Sequence, residues 1–299
     1  MRYIIENIHL LKRQRLKKTS ILMEDNRMDL LKDKFHSYQY MRMDGSPYIM
    51  TPTTVMLDNE VKQMTSNIQQ RRHIEENLIK KGCTTFLFYL EVRREKELAI
   101  QLKKINSQLL NCAIDYVAAV KIPLKLLSPS FVRTCKREKV PVLFIEIEDI
   151  EALYQIPWGW IKEALFPYNA PLVPIFLSNV EQEKKRAQNI WSSLMRDVKI
   201  PSIPREIKEG MPIAYPDLVK MGIYPFKGNV YQGGEVTYNL FAFDESIINI
   251  EENDLFLYHY DRIQMTIHKG KCIRAGSKVY YRPGYGELLE VKVPSFLTI

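Results

Sequence analysis

Six charged residues stand where apolar runs end in the central part of the chain: Asp58, Glu60, Glu91, Lys121, Glu146 and Glu148. Carboxylates beside an amine can relay protons as general acid and base. They can also hold a hard cation such as magnesium or calcium through oxygen ligands, or simply pair with one another. Residue type alone leaves all three open. In the first case Glu91, Glu146 or Glu148 is the general base for cleavage of a C–N or ester bond, and Lys121 steadies the developing oxyanion. In the second, Asp58 and Glu60 are the candidate metal ligands. A lysine so placed can also form a Schiff base, although "VKIPLK" is thin evidence for one.

The elements that must position these residues follow from the hydrophobic pattern. Strand-like runs at Ile49 to Leu57, Thr84 to Val92, Tyr116 to Ile122, Val140 to Ile147 and Pro171 to Leu177 alternate with helix-period runs. The latter are Asn59 to Lys80, Glu95 to Leu110, Ser130 to Lys139, Trp158 to Leu165 and Val180 to Arg196. Five β–α units in succession predict a parallel sheet with right-handed crossovers. Runs such as "TTFLFYL" and "VPVLFIEI" are apolar throughout, as strands covered on both faces should be. Sites in such folds lie beyond the carboxyl ends of the strands, so the charged residues, with Arg93, Lys125, Ser178 and Asn179, should share one mouth. A complete eightfold barrel takes ~250 residues. The interval here has room for five or six units, so the expected fold class is α/β with a shortened or incomplete TIM-like barrel, or an open sheet.

Both ends of the chain read as strand instead. Tyr3 to Leu11, Ser20 to Glu24 and Arg27 to Leu31 open it. Glu235 to Phe243, Leu255 to Tyr258, Arg262 to His268, Lys278 to Arg282 and Leu288 to Val293 close it, with hairpin turns at Asp25-Asn26 and Lys269-Gly270.

Within the closing part, "MGIYPFKGNVYQGGEVTYNLFAFD" resembles the segment with which cyclic amidohydrolases, the dihydroorotases and hydantoinases among them, end their metal-bearing barrel. Gly222, Tyr224, Pro225, Lys227 and Gly228 stand in that family's Gly-x-Tyr-Pro-x-Lys-Gly pattern. "MTIHKGKCIRAGSKVYYRPGYGEL" is similar to its closing strands, and "YIIENIHLL", "KTSILMEDNRMDLLKD" and "YIMTP" to its opening ones. The resemblance implies that residues 1–48 and 220–299 form one composite β-sandwich beside an α/β barrel of residues 49–219. It further implies a His-x-His metal motif on the first barrel strand, near Val55 to Asp58, where this chain reads "VMLD". Of the five histidines, His9, His36, His259 and His268 lie in the strand-rich ends, and His73 reads as a surface residue in mid-helix.

The 299 residues carry a formal charge of +8, but the cations fall in scattered pairs among acids. The denser run "KRQRLKK", Lys12 to Lys18, reads as an ordinary surface loop that could at most touch phosphate or an anionic membrane surface. No glycine-rich phosphate loop is present, so a basic nucleic-acid-binding protein is only the third functional reading. Four scattered cysteines suggest reduced thiols and a cytoplasmic protein, and no apolar run is long enough for a membrane helix. "IPWGWIKEALFPY" offers Trp158, Trp160, Phe166 and Tyr168 as pocket floor, association surface or, for at least half of them, core. The first reading is an amidohydrolase-like protein that has lost binuclear metal hydrolysis and serves as a binding or scaffolding module. Its partner would be a small molecule, a protein or a second copy. No cofactor is expected, with magnesium or calcium possible only if the carboxylates gather a cation. The alternative is a hydrolase of C–N bonds with a rebuilt carboxylate and lysine site.

Overall fold

A computed structural model describes residues 2–64, 66–178 and 180–295. The expected Asn179 lies outside the described residues. The first strands are β1 (Arg2–Lys12), β2 (Arg15–Glu24), β3 (Arg27–Lys32), β4 (Met41–Asp44) and β5 (Tyr48–Thr51). Next come β6 (Thr54–Leu57), β7 (Cys83–Glu91), β8 (Asp115–Pro123), β9 (Leu143–Ile147) and β10 (Leu172–Phe176), then β11 (Tyr238–Ala242), β12 (Ile263–His268), β13 (Lys271–Ala275) and β14 (Lys278–Val279). The helices are α1 (Asn67–His73), α2 (Glu97–Gln108), α3 (Pro129–Arg137), α4 (Trp158–Leu165), α5 (Glu181–Val198), α6 (Tyr215–Met221), α7 (Glu245–Ile248) and α8 (Glu252–Tyr258).

Strands β6 to β10 form a five-stranded parallel sheet in sequential order, curled as half a barrel. Side chains alternate across it. Val55, Leu57, Leu87, Val117, Phe144 and Val173 belong to the concave core, whereas Met56, Phe86, Phe88, Tyr116 and Ile145 pack outward against the helices. The edges of this half barrel are covered by one stretch of chain. Ile203 N–H donates to Leu172 O at 2.9 Å beside β10, and a few residues later Gly210 and Ile213 N–H donate to Leu57 O and Val55 O, each at 2.8 Å, beside β6. This strap satisfies backbone groups that an open sheet would leave unpaired. The tail closes the lower end: Leu289 N–H bonds Tyr116 O at 2.9 Å, and Val291 enters the concave core.

The chain ends form a nine-stranded sheet, ordered β14-β13-β12-β11-β5-β1-β2-β3 with β4 beside β1. Ile5, Ile21 and Met23 from one half share an apolar cluster with Tyr238 and Ile267 from the other. Strands from the two ends of the chain thus pair in one sheet and share an apolar cluster.

Three sequence expectations need correction. The run Ile49 to Leu57 is two strands: Pro52 interrupts it, and Tyr48–Thr51 pairs with β1 and β11 instead of entering the barrel. Leu255 to Tyr258 belongs to helix α8, whose Leu255 and Phe256 fill a small core with Phe241. Leu288 to Val293 makes one bridge, to Tyr116, and no strand. The basic run also differs from a loop. Lys12 ends β1, Arg15 to Lys18 begin β2, and only Arg13 and Gln14 form the turn. No helix among the described residues is long and apolar enough to cross a membrane.

Candidate functional site

The mouth of the half barrel is built by strand register. β7, β8 and β9 lie side by side, and Glu91 stands opposite Lys121 in the ladder. Glu91, Lys121 and Glu146 have the same facing as the concave-side residues two and four positions earlier on their strands, so they crown the inner wall. Lys121 Nζ lies 3.0 Å from Glu91 Oε1 and 3.1 Å from Glu146 Oε1, and Arg93 Nη1 lies 2.9 Å from Glu146 Oε2. Both oxygens of Glu146 are thus taken by cations. Below them the Tyr89 ring packs on Phe144, with Lys121 and Lys62 ammonium groups 5.1 and 4.7 Å from its centroid.

Burial acts to lower the Lys121 ammonium, but hydrogen bonds to Glu91 and Glu146 outweigh it and raise the group above its ordinary value. The hydrogen bond from Lys121 holds Glu91 below the usual range. Lys62 moves the other way, because burial lowers it more than the surrounding carboxylates raise it. Lys121 is therefore a charged clamp, the opposite of the neutral amine that a Schiff base requires.

The carboxylate pair after β6 is organised by a histidine. Asp58 is buried, accepts from Val61 N–H at 3.1 Å, and has Oδ2 2.7 Å from His73 Nε2. His73 Nδ1 meets Asn77 Nδ2 at 2.9 Å, and Glu60 Oε2 lies 3.6 Å away on the exposed side. His73 is 8% exposed, which corrects its reading as a surface residue: α1 turns this face of the helix onto the end of β6. The hydrogen bond to Asp58 raises its pKa against the opposing effect of burial.

The structure thus separates the predicted residues into two groups. Glu91, Lys121 and Glu146 come together, as do Asp58 and Glu60 around His73, while Glu148 is exposed and outside both. Reasoning from the sequence missed Asn59 and Glu209. Asn59 N–H and Nδ2 both donate to the Glu209 carboxylate, the latter at 2.7 Å, and Asn59 Oδ1 accepts from Tyr89 N–H at 2.8 Å. This clasp pins the strap to the mouth. Nothing in the local pattern of "REIKEG" marks Glu209 for it, since the partner lies 150 positions away.

Of the "PWGW" aromatics, Trp158 and Tyr168 are buried, and Trp160 and Phe166 are exposed at 63% and 68%. Trp158 packs edge-on against Trp191 among the outer helices, away from the mouth.

No family model matches the sequence, and no curated protein matches it. Solved structures do match in fold. A dihydropyrimidinase from Brevibacillus agri NCHU1002 superposes with a TM-score of 0.60 at 9% identity, covering 97% of this chain and 99% of the other. A D-hydantoinase gives 0.60 at 10% identity over 99% and 100% of the two chains. A D-hydantoinase (dihydropyrimidinase) from Thermus sp. gives 0.58 at 11% identity over 98% and 100%. The chain has a hydantoinase-type fold.

Proposed function

We propose that this chain is a hydantoinase-fold protein that works as a binding or scaffolding module without the binuclear metal hydrolysis implied by its sequence resemblance. One observation carries the reading. At the place of the resembled His-x-His motif stand Val55, Met56 and Leu57, and Val55 and Leu57 point into an apolar interior closed by Phe144, Ile203 and Ile213. No histidine stands within this stretch, and the His73 imidazole at its end is bonded to Asp58 and Asn77. The carboxylates nearby are held by Lys121 and Arg93, and among the described residues no group of three or more His, Cys, Asp or Glu is placed to hold a metal ion. This donor set does not fit a zinc pair, which takes nitrogen and sulfur ligands beside carboxylate.

The ion pairs at the mouth also weaken the rebuilt-hydrolase alternative. A carboxylate bonded to an ammonium on one oxygen and a guanidinium on the other is a poor base. Elemental analysis of protein purified without added metal tests the proposal. Substoichiometric zinc, iron and manganese are expected, and one or two equivalents of any of them retained through gel filtration would overturn it.

A further inference from the structure

We propose that the basic hairpin between β1 and β2 builds a small oxyanion-binding site against the barrel, one that takes inorganic phosphate or a group of the same shape and charge. Arg13 and Gln14 form the turn, and both have positive φ, +50° and +59°, a conformation that two-residue hairpins normally give to Asn and Gly. A strained turn that retains an arginine is where function is to be sought. The turn is also anchored. The Arg13 guanidinium carbon lies 3.7 Å from the centroid of Tyr215, and Nη2 donates to Tyr224 Oη. Lys12 Nζ donates to Val230 O at 3.3 Å and lies 6.0 Å from the centroid of Tyr224, the ring whose hydroxyl Arg13 reaches.

Between this turn and the barrel lies a cavity of about 50 Å³ lined by Lys12, Arg13, Thr53, Pro212, Tyr215 and Tyr224, among others. A water needs roughly 10–15 Å³, so the space holds a few waters or one tetrahedral oxyanion. Among the described residues, none that lines it is an aspartate or glutamate. The Arg13 guanidinium beside an enclosed space sets a positive potential there, and low-dielectric walls concentrate it. Arg13 makes no ion pair among the described residues, and stacking on Tyr215 fixes its plane while leaving guanidinium N–H groups to donate. Cavity size favours a compact tetrahedral ion over a nucleotide.

The test is isothermal titration of the full chain with inorganic phosphate at constant ionic strength. One saturable site per chain is expected, displaced by sulfate and not by chloride. Arg13→Gln should weaken it at least ~10-fold, through loss of a fixed charged donor. Lys18→Gln, in the same basic run but away from the cavity, should leave it unchanged. Absence of saturable uptake overturns the proposal, as does equal weakening by both variants. If Arg13→Gln does not fold, Arg13→Lys decides: weakened uptake, from loss of the planar fork, supports the site and undiminished uptake overturns it. Competition by glycerol 3-phosphate assigns the natural group to a phosphate ester. Phosphate binding without such competition assigns it to the free ion.

Discussion

His73 Nε2 and Asp58 Oδ2 lie 2.7 Å apart, both almost out of solvent, where helix α1 meets the end of the first barrel strand. Because Asp58 raises the folded-state pKa of His73, the protonated form is stabilised by folding. That contribution is fully present below the histidine's unfolded pKa and is lost as pH rises through the folded one. We predict that His73→Gln destabilises the protein more at pH 5.5 than at pH 8.5, measured as the wild-type minus variant difference in urea unfolding. A difference independent of pH, or larger at pH 8.5, would contradict the assignment.

Lys121 stands between two carboxylates, and its side chain and that of Glu146 are 14% and 11% exposed. Removing it leaves Glu91 on β7 and Glu146 on β9 facing each other across the strand between them. Lys121→Met is expected to cost about 2–4 kcal/mol, toward the range for breaking a buried pair. Glu146→Gln in the same chain should recover part of that loss, with a coupling of roughly 1–2 kcal/mol in a double-mutant cycle. Additive losses would mean that the clamp contributes nothing as a unit.

Gly286 is the tightest point of the tail. A Cβ there would stand 1.9 Å from Ile114 O, a backbone atom that cannot move aside, while Gly286 N–H bonds Cys112 O at 2.9 Å. Gly286→Ala is expected to cost at least ~3 kcal/mol and to loosen the lower end of the half barrel. Gly159→Ala is the control: nothing lies within 4 Å of the point where its new methyl group would stand, and helix α4 should gain up to ~1 kcal/mol. Equal effects of the two substitutions in chemical denaturation would refute the packing argument.

Local pattern made the five β–α units legible, because each apolar run and each following helix period lies within one contiguous stretch. The hairpin turns at Asp25-Asn26 and Lys269-Gly270 were legible for the same reason, with positive φ at Asp25, Lys269 and Gly270. Helix α8 was not, since "LFLY" is equally apolar as strand or helix and only its packing on Phe241 decides. The strap was hidden too. "PSIPREIKEGMPIAYP" has no periodicity, and its role follows from bonds to β10 and β6, which lie more than 100 residues apart in the chain. Register placed Glu91 beside Lys121, but the capture of Glu146 by Arg93 and of Asp58 by His73 depends on side-chain directions that no spacing rule supplies.

Lys227 belongs to the "YPFKG" stretch that carries the family resemblance, and the structure shows what it holds. Its Nζ lies 2.6 Å from Asp115 Oδ2, and Lys269 Nζ lies 2.8 Å from Oδ1 of the same carboxylate, at the start of β8. The chain-end sheet and the barrel therefore meet at one buried anion. Burial alone would raise the Asp115 carboxyl, but His268 and the two ammonium groups overcome it and hold the group far below the usual carboxylate range. A depressed folded-state pKa contributes stability that is present above the unfolded value and is lost as pH falls toward the folded one. Asp115→Asn is therefore expected to cost about 2–4 kcal/mol at pH 7, because it removes the buried anion that Lys227 and Lys269 share and leaves them only the more exposed Glu235 and Glu287. The gap between wild type and variant should narrow as pH is lowered below about 4, where the unfolded carboxylate takes up its proton. Urea unfolding at pH 7, 5 and 3.5 measures this. A gap that stays constant or widens toward acid would show that the carboxylate is not the anion joining the two sheets.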